Sequence, residues 1–294
     1  MCRRDRYNEL LGCPFDDGVS LLTENDIASR AYLGPNVLDD LVKRLPEYHG
    51  RVSIGIDWGG RGISGESRTK IAVCGLASTG RLDTLFGVQM PATATSRKEA
   101  EVLLHLYRVC RPTAIAHDNI GIGSRAEEMI VWAGVPADII VPMEYVGETQ
   151  GFIMKARRAT EQNPKRVYSV DKTRSLLHLV EAVRSDQMAF FNMTERYNAR
   201  NLLLDLTHLR AEERVYVNSV KSETILIQKE PGQSDDFAHA VNHAANVLWE
   251  KYDAWPRLKR AIKIVTPQDL ATYMDELGKH LDPDTIESLS INPL

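Results

Sequence analysis

Three acidic positions in this 294-residue chain lie where a structural acid would be awkward. Asp57 closes the apolar run Val52-Ser53-Ile54-Gly55-Ile56, and Asp118 closes a second run that begins at Thr113. The pair Asp235-Asp236 opens a stretch that is otherwise apolar on one helical face. A buried strand end is a poor place for an unpaired carboxylate, because desolvating the charge is costly unless a cation compensates it. A hard divalent cation satisfies several carboxylates at one point. Two such cations about 4 Å apart bind both the attacking and the leaving oxygen of an in-line phosphoryl displacement. The expected catalytic and metal-binding set has Asp57 bridging two Mg²⁺ or Mn²⁺ ions. Asp118 then holds one ion, and Asp236 with Asp235 holds the other. Each acid alone has a plainer reading: Asp235 or Asp236 as a helix cap, Asp57 before Trp58-Gly59-Gly60 and Asp118 before Gly121 and Gly123 as turn residues. Together, in this element order, they point to phosphodiester chemistry.

Other chemistries fit less well. His239 and His243 lie one helical turn apart, but the zincin pattern needs Glu after the first His, and Ala240 stands there. His117-Asp118 lacks the upstream histidines of an HD-type phosphohydrolase. No G-x-x-x-x-G-K-[ST] loop occurs, so no ATP site is implied. Between Gly151 and Arg174, Lys155, Arg157, Arg158, Lys165, Arg166, Lys172 and Arg174 face only Glu161 and Asp171. Such a run reads either as a solvated surface or as a phosphate-tracking strip beside the acids, binding DNA without sequence preference. Gly147 and Gly151 flank its start, so it is expected to form a mobile flap over the cleft. A second basic cluster runs from Arg257 to Lys263.

The elements that must position these residues follow from apolar spacing. The run at 52–57, then 69–77 and 82–90, predict three strands in a meander of hairpins. Val102, Leu103, Leu106 and Val109 predict a helix over 96–110. A strand at 113–116 leading to Asp118, a helix over 125–133 and a strand at 139–141 follow. Later come a helix over 172–185, a strand at 188–191, a helix over 195–209, a hairpin of 215–220 with 224–229, and a helix over 235–252. Thr23 is expected to cap a short helix through Arg30, and Asn36 one through Arg44. The mixed order signals an α/β sheet with one antiparallel side. Residues 1–50 read as a leader or linker segment, 51–252 as the core domain, and 253–294 as a tail with a helix over 267–278.

Composition sets the class. Hydrophobic residues at 43% and charged residues at 26% are a globular balance, and no apolar run approaches the roughly 18 residues of a membrane span. The start, Met1-Cys2-Arg3-Arg4-Asp5, has no apolar core behind it, so no signal peptide is expected. Cys2, Cys13, Cys74 and Cys110 form no C-x-x-C pair, which reads as a reduced, cytoplasmic protein. The net charge of −4 does not announce a nucleic-acid binder, but charge distribution outweighs net charge in a carboxylate-rich site.

The order of motifs resembles the nuclease domain of large terminase subunits, the DNA-packaging motors of tailed bacteriophages, within the ribonuclease H-like superfamily. Ile54-Gly55-Ile56-Asp57 matches the family's opening strand, and Ala116-His117-Asp118 with Gly121 and Gly123 its second acid and turn. Asp235-Asp236-Phe237-Ala238-His239-Ala240 matches the late acidic helix start, and Asp171-Lys172-Thr173 through Phe191 a middle helix and strand. Tyr7 to Gly12 is similar to the segment that joins motor to nuclease. The resemblance covers roughly residues 5 to 252. It implies a ribonuclease H-like mixed sheet, a three-strand antiparallel meander plus parallel strands, flanked by helices. It also implies metal-dependent endonuclease cleavage of double-stranded DNA during packaging in the cytoplasm of the infected host. The partners implied are the terminase ATPase domain, the small terminase subunit and the portal protein, with no membrane. With no phosphate loop, the resemblance implies an excised domain or the product of a split gene.

Some positions depart from the family pattern. His239 stands where an aspartate is common and is a candidate to touch a metal or a carboxylate that holds one; Trp58 replaces a small residue or proline, and Glu66 is the nearest counterpart of an extra acid. Two other functions compete. Ile54-Gly55-Ile56-Asp57-Trp58-Gly59-Gly60 also resembles the first phosphate loop of sugar kinases and actin-like ATPases, which need a second copy of the fold that the sequence lacks. A non-catalytic module that docks on DNA or the portal is the other alternative.

Overall fold

Burial on both faces makes the run at 52–57 a central strand, and the sheet extends outward from it. The computed structural model describes residues 19–59, 68–147, 152–157, 166–194, 199–218 and 220–256, with the side chains of Val19 and 212–225 excepted. Within them lie β1 (Val19–Ser20), α1 (Glu24–Ala28), α2 (Leu38–Arg44), β2 (Val52–Asp57), β3 (Lys70–Leu76), β4 (Leu82–Gln89) and α3 (Ser96–Cys110). Next come β5 (Ala114–Asp118), α4 (Gly123–Ala133), β6 (Ile140–Val146), β7 (Met154–Ala156), β8 (Tyr168–Asp171) and α5 (Lys172–Arg184). The order closes with β9 (Met188–Phe190), α6 (Ala199–Leu204), β10 (Leu209–Asn218), β11 (Val220–Lys229) and α7 (Asp236–Tyr252).

The large sheet has eight strands in the order β7-β8-β6-β5-β2-β3-β4-β9. β2, β3 and β4 form an antiparallel meander; β5 runs parallel to β2, β6 to β5 and β8 to β6. This is the ribonuclease H-like arrangement, with helices on both faces. A smaller sheet pairs β1 with β10 and β10 with β11.

One face of β2 presents Ile54 and Ile56, which join Ile71, Val73, Ile115, Leu103, Leu106 and Ile130 in a core beneath α3 and α4. Leu41 and Tyr48, from the segment read as a leader, belong to the same core. The opposite face presents Ser53, Gly55 and Asp57 by strand alternation. Here α7 lies directly on the backbone: the Ser53 hydroxyl donates to Ala244 O at 2.8 Å. A Cβ on Gly55 would fall 1.9 Å from Ala240 O and 2.6 Å from Ala244 N, so only glycine lets the helix come this close.

Several expectations need correction. The strand at 139–141 runs on to Val146, through Pro142. The described parts of the expected flap form strands β7 and β8 on the sheet edge. The helix expected over 195–209 is Ala199–Leu204 followed by a tight 3-10 turn, Asp205–His208, in which Asp205 turns toward α7. Leu209 already belongs to β10 and β11 already begins at Val220, so both strands of the hairpin start earlier than expected. Asn36 caps no helix; its side chain pairs with both backbone groups of Gly87 at 2.9 Å and covers the edge of β4. Thr23 does cap α1, in a reciprocal capping box with Asp26. Tyr7 to Gly12, Glu66, the Arg257 to Lys263 cluster and the helix expected over 267–278 lie outside the described residues. Among those described, no helix is long and apolar enough to cross a membrane.

Candidate active site

Parallel pairing of β2 with β5 sets Ile56 opposite His117, so Asp57 and Asp118 occupy neighbouring strand ends. α7 crosses the same face and places Asp236 and Asp235 at its N-terminus. The acids act on one another: burial pushes the Asp57 carboxyl up to about 7, with His239 pulling it down and Asp236, Asp118 and Asp235 pushing it further up. Asp118 is also raised, first by burial and in part by Glu144, although one of its oxygens accepts the Ile120 N–H at 2.9 Å. Asp236 holds its Oδ2 buried with no hydrogen-bond partner among the described residues.

The turns after the acids are shaped by packing. Trp58 is buried and donates its indole N–H to His117 Nδ1 at 3.2 Å on the far side of the sheet. Gly123 begins α4 so close to the chain that a Cβ would lie 2.0 Å from Asp118 O.

Around the acids lie groups that the sequence reading did not single out. Lys70 is the register partner of Asp57 across β2 and β3, and is buried. Its ammonium pairs with Asp205 and donates to Ser234 Oγ at 2.7 Å. Asp205 also accepts the Phe237 N–H at 2.9 Å, so this pair pins the start of α7. Burial raises the Asp205 carboxyl, and Lys70 opposes the rise. Tyr145, on the part of β6 beyond Pro142, meets His239 Nδ1 at 3.1 Å. Burial and the facing acids hold its phenol well above the ordinary range. A lysine inside the apolar run 69–77 was a legible signal for the first group; Tyr145 lies beyond the end expected for its strand.

His239 hydrogen-bonds Asp235, its Nε2 meeting Asp235 Oδ2 at 3.0 Å, and it lies near enough to Asp57 and Asp118 to pull both carboxyls down. Burial raises Asp235, but the hydrogen bond and charge of His239, with Lys172 and Lys229, bring it below the usual carboxylate range. Tyr145, Lys172, Lys229, Asp235 and His239 line a cleft of about 590 Å³.

The basic positions are dispersed along one edge. Lys155 is exposed and stands 5.5 Å over the Phe152 ring, Arg166 5.3 Å over Tyr168, and Lys172 5.6 Å over Tyr145. Arg157 is engaged by Glu144 at 2.7 Å and by Ser169 at 2.6 Å, and Arg174 donates to Phe152 O at 3.2 Å. Arg158 and Lys165 lie outside the described residues.

The donor set fits a hard divalent cation in kind: oxygen ligands only, mutually repelling, one of them buried without a partner. Among the described residues, however, no three His, Cys, Asp or Glu side chains stand close enough together to hold one ion.

Fold and site define an α/β protein of ribonuclease H-like architecture with a carboxylate centre at its strand ends. No family model matches the chain, and no curated protein does. Solved structures similar to it are terminase nucleases. One is the large terminase nuclease from thermophilic phage G20c with bound magnesium, 16% identical over 66% of this chain and 80% of that one, TM-score 0.43. Another is the nuclease domain of the large terminase subunit gp2 of bacterial virus Sf6, 13% identical over 76% and 97%, TM-score 0.47. The HK97 bacteriophage large terminase is 9% identical over 84% of this chain and 48% of its own, TM-score 0.49. Likenesses at this level carry no residue roles to the present chain.

Proposed function

We propose that this chain is a metal-dependent endonuclease that hydrolyses phosphodiester bonds in double-stranded DNA. The observation that carries the reading is the placement of Asp57, Asp118 and Asp236 toward one end of the sheet, near enough that Asp118 and Asp236 add to the burial that pushes the Asp57 carboxyl up to about 7. Carboxylates in mutual repulsion are a standing demand for cations. Asp57, Asp118 and the Asp235-Asp236 pair would hold two Mg²⁺ or Mn²⁺ ions, which when bound supply charge to polarise the phosphodiester and acidify water.

The chain's own residues do the rest. Asp118 keeps one oxygen on the Ile120 N–H, which fixes the orientation of the other. Lys155, Arg166 and Lys172 present cations that bind phosphates and set the duplex against the acids. Lys229 adds a second cation to the cleft that Lys172 lines. We extend the reading to cleavage of concatemeric phage DNA in the host cytoplasm, in company with a terminase motor, small subunit and portal; the motif order of the sequence supports this part. A docking module without catalysis is the second reading, favoured by the lack of three converged donors among the described residues.

One experiment separates them. Supercoiled plasmid is incubated with the chain in Mn²⁺, in Mg²⁺ and in EDTA, beside Asp57→Asn. Nicking that needs metal and vanishes in the variant supports the nuclease; intact plasmid in every metal, with folded protein, supports the docking module.

A further inference from the structure

The cap of α7 departs from habit. An N-cap aspartate ordinarily accepts a backbone N–H of the first turn, yet Asp235 makes no such bond. Capping comes from outside the helix: Asp205 accepts from Phe237 N at 2.9 Å, and Ser234 Oγ from Asp236 N at 3.4 Å. Asp235 is thereby released, and its Oδ2 accepts from His239 Nε2, one turn on, at 3.0 Å. In the neutral ring His239 Nδ1 is then the acceptor, and the Tyr145 hydroxyl donates to it at 3.1 Å. That hydroxyl accepts in turn from Asn242 Nδ2 at 2.9 Å, and Asn242 also donates to Ser175 Oγ at 3.0 Å. One tautomer of His239 serves each of these bonds, while Asn242 Oδ1 stays buried without a partner among the described residues. The Tyr145 ring is further held by stacking on His243, with centroids 5.1 Å apart. Asp236, next in sequence, has no such tie, and its Oδ2 is buried without a partner among the described residues.

We propose that Asn242, Tyr145 and His239 form a positioning relay that commits Asp235 to the fold and leaves Asp236 as the carboxylate of the pair that meets a divalent ion. The proposal rests on the carboxylate-centre reading above. It divides the two adjacent acids by what each touches, a distinction that their sequence neighbourhood does not make. Tyr145 and His239 act through Asp235 and are positioning residues.

The test is a Mn²⁺ titration of the full chain read by melting temperature, run beside plasmid cleavage. Asp236→Asn is expected to abolish the rise in melting temperature caused by Mn²⁺. Asp235→Asn and Tyr145→Phe are expected to keep that rise while cleavage falls about 10–100-fold, the usual effect of removing an outer hydrogen-bond partner. His239→Gln, which can still donate to Asp235, should cleave faster than His239→Ala. Equal loss in the two overturns the relay. Metal-free melting of Tyr145→Phe, Asp235→Asn and the double variant gives a cycle in which the relay predicts a double no worse than the worse single; additive losses overturn it. A Mn²⁺ response lost in Asp235→Asn and kept in Asp236→Asn overturns the division, as does a wild-type chain with no Mn²⁺ response. Wild-type protein that binds Mn²⁺ and divides the pair as stated, yet leaves DNA intact, supports the relay and overturns the nuclease reading alone.

Discussion

Gly55 lies so near α7 that a Cβ on it would come within 1.9 Å of the carbonyl oxygen of Ala240. The bare strand surface is what lets the helix settle with Asp236 beside the end of β2. Gly55→Val is expected to lower stability by about 1–3 kcal/mol or more, since neither backbone can give way cheaply. Cleavage should fall further than the folded fraction does, because the helix start is displaced from Asp57. Denaturant unfolding and plasmid nicking on the same sample check this; an unchanged midpoint would mean that the helix does not rest on the strand.

Asp57 carries a raised carboxyl, about 7 against an ordinary 3.8, chiefly from burial. A folded-state value above the unfolded one contributes stability that is fully present below pH 3.8 and lost as pH rises through about 7. Metal-free protein is therefore expected to melt at lower temperature as pH is raised across that window, and Asp57→Asn should flatten the dependence while abolishing metal-dependent cleavage. Added Mn²⁺ should restore the melting temperature of the wild type at the upper end by mass action. Melting curves at several pH values, with EDTA and with Mn²⁺, decide it.

The Lys70–Asp205 pair is buried on both sides and anchors the first turn of α7. Lys70→Met leaves Asp205 buried without its cation and should cost about 3–5 kcal/mol, as breaking one side of a buried pair does. Lys70→Met combined with Asp205→Leu should recover part of the loss, though not the cap on Phe237. Chemical denaturation of the single and double variants is the measurement. A double variant as unstable as the two single losses summed would show that charge pairing is not what holds the turn.

The exposed cations of the β7–β8 edge, with the half-buried Lys172 that opens α5, should govern DNA affinity and not the chemical step. Replacing Lys155, Arg166 or Lys172 by alanine is expected to weaken binding alike for all sequences and to reduce the salt slope by about 1 each. Arg157→Ala should do less to the slope, because its guanidinium is already engaged by Glu144 and Ser169. Duplex binding measured across a salt series distinguishes the two classes.

Much of this architecture was legible from local pattern. Val52–Asp57 and Ser96–Cys110 run between the residues expected, because apolar periodicity over a full element is a strong and local signal. Other boundaries were not legible. The strand expected to end at 141 continues through Pro142 to Tyr145 and Val146. Gly147 and Gly151 suggested a flap, and of that segment Met154–Ala156 and Tyr168–Asp171 extend the sheet.

By itself, the sequence determined which residues could end strands as acids, which face of each helix is apolar, and that a glycine precedes Asp57 by two positions. These are properties of near neighbours along the chain, governed by backbone periodicity. Tertiary structure decided the rest: that α7 uses Gly55 as its seat, that Lys70 is spent on Asp205, and that Asp235 turns to His239 while Asp236 Oδ2 has no partner among the described residues. Each of these joins groups far apart in sequence, or selects between adjacent residues of one type. The choice depends on which partner packing brings within hydrogen-bond reach, and no local pattern encodes that distance.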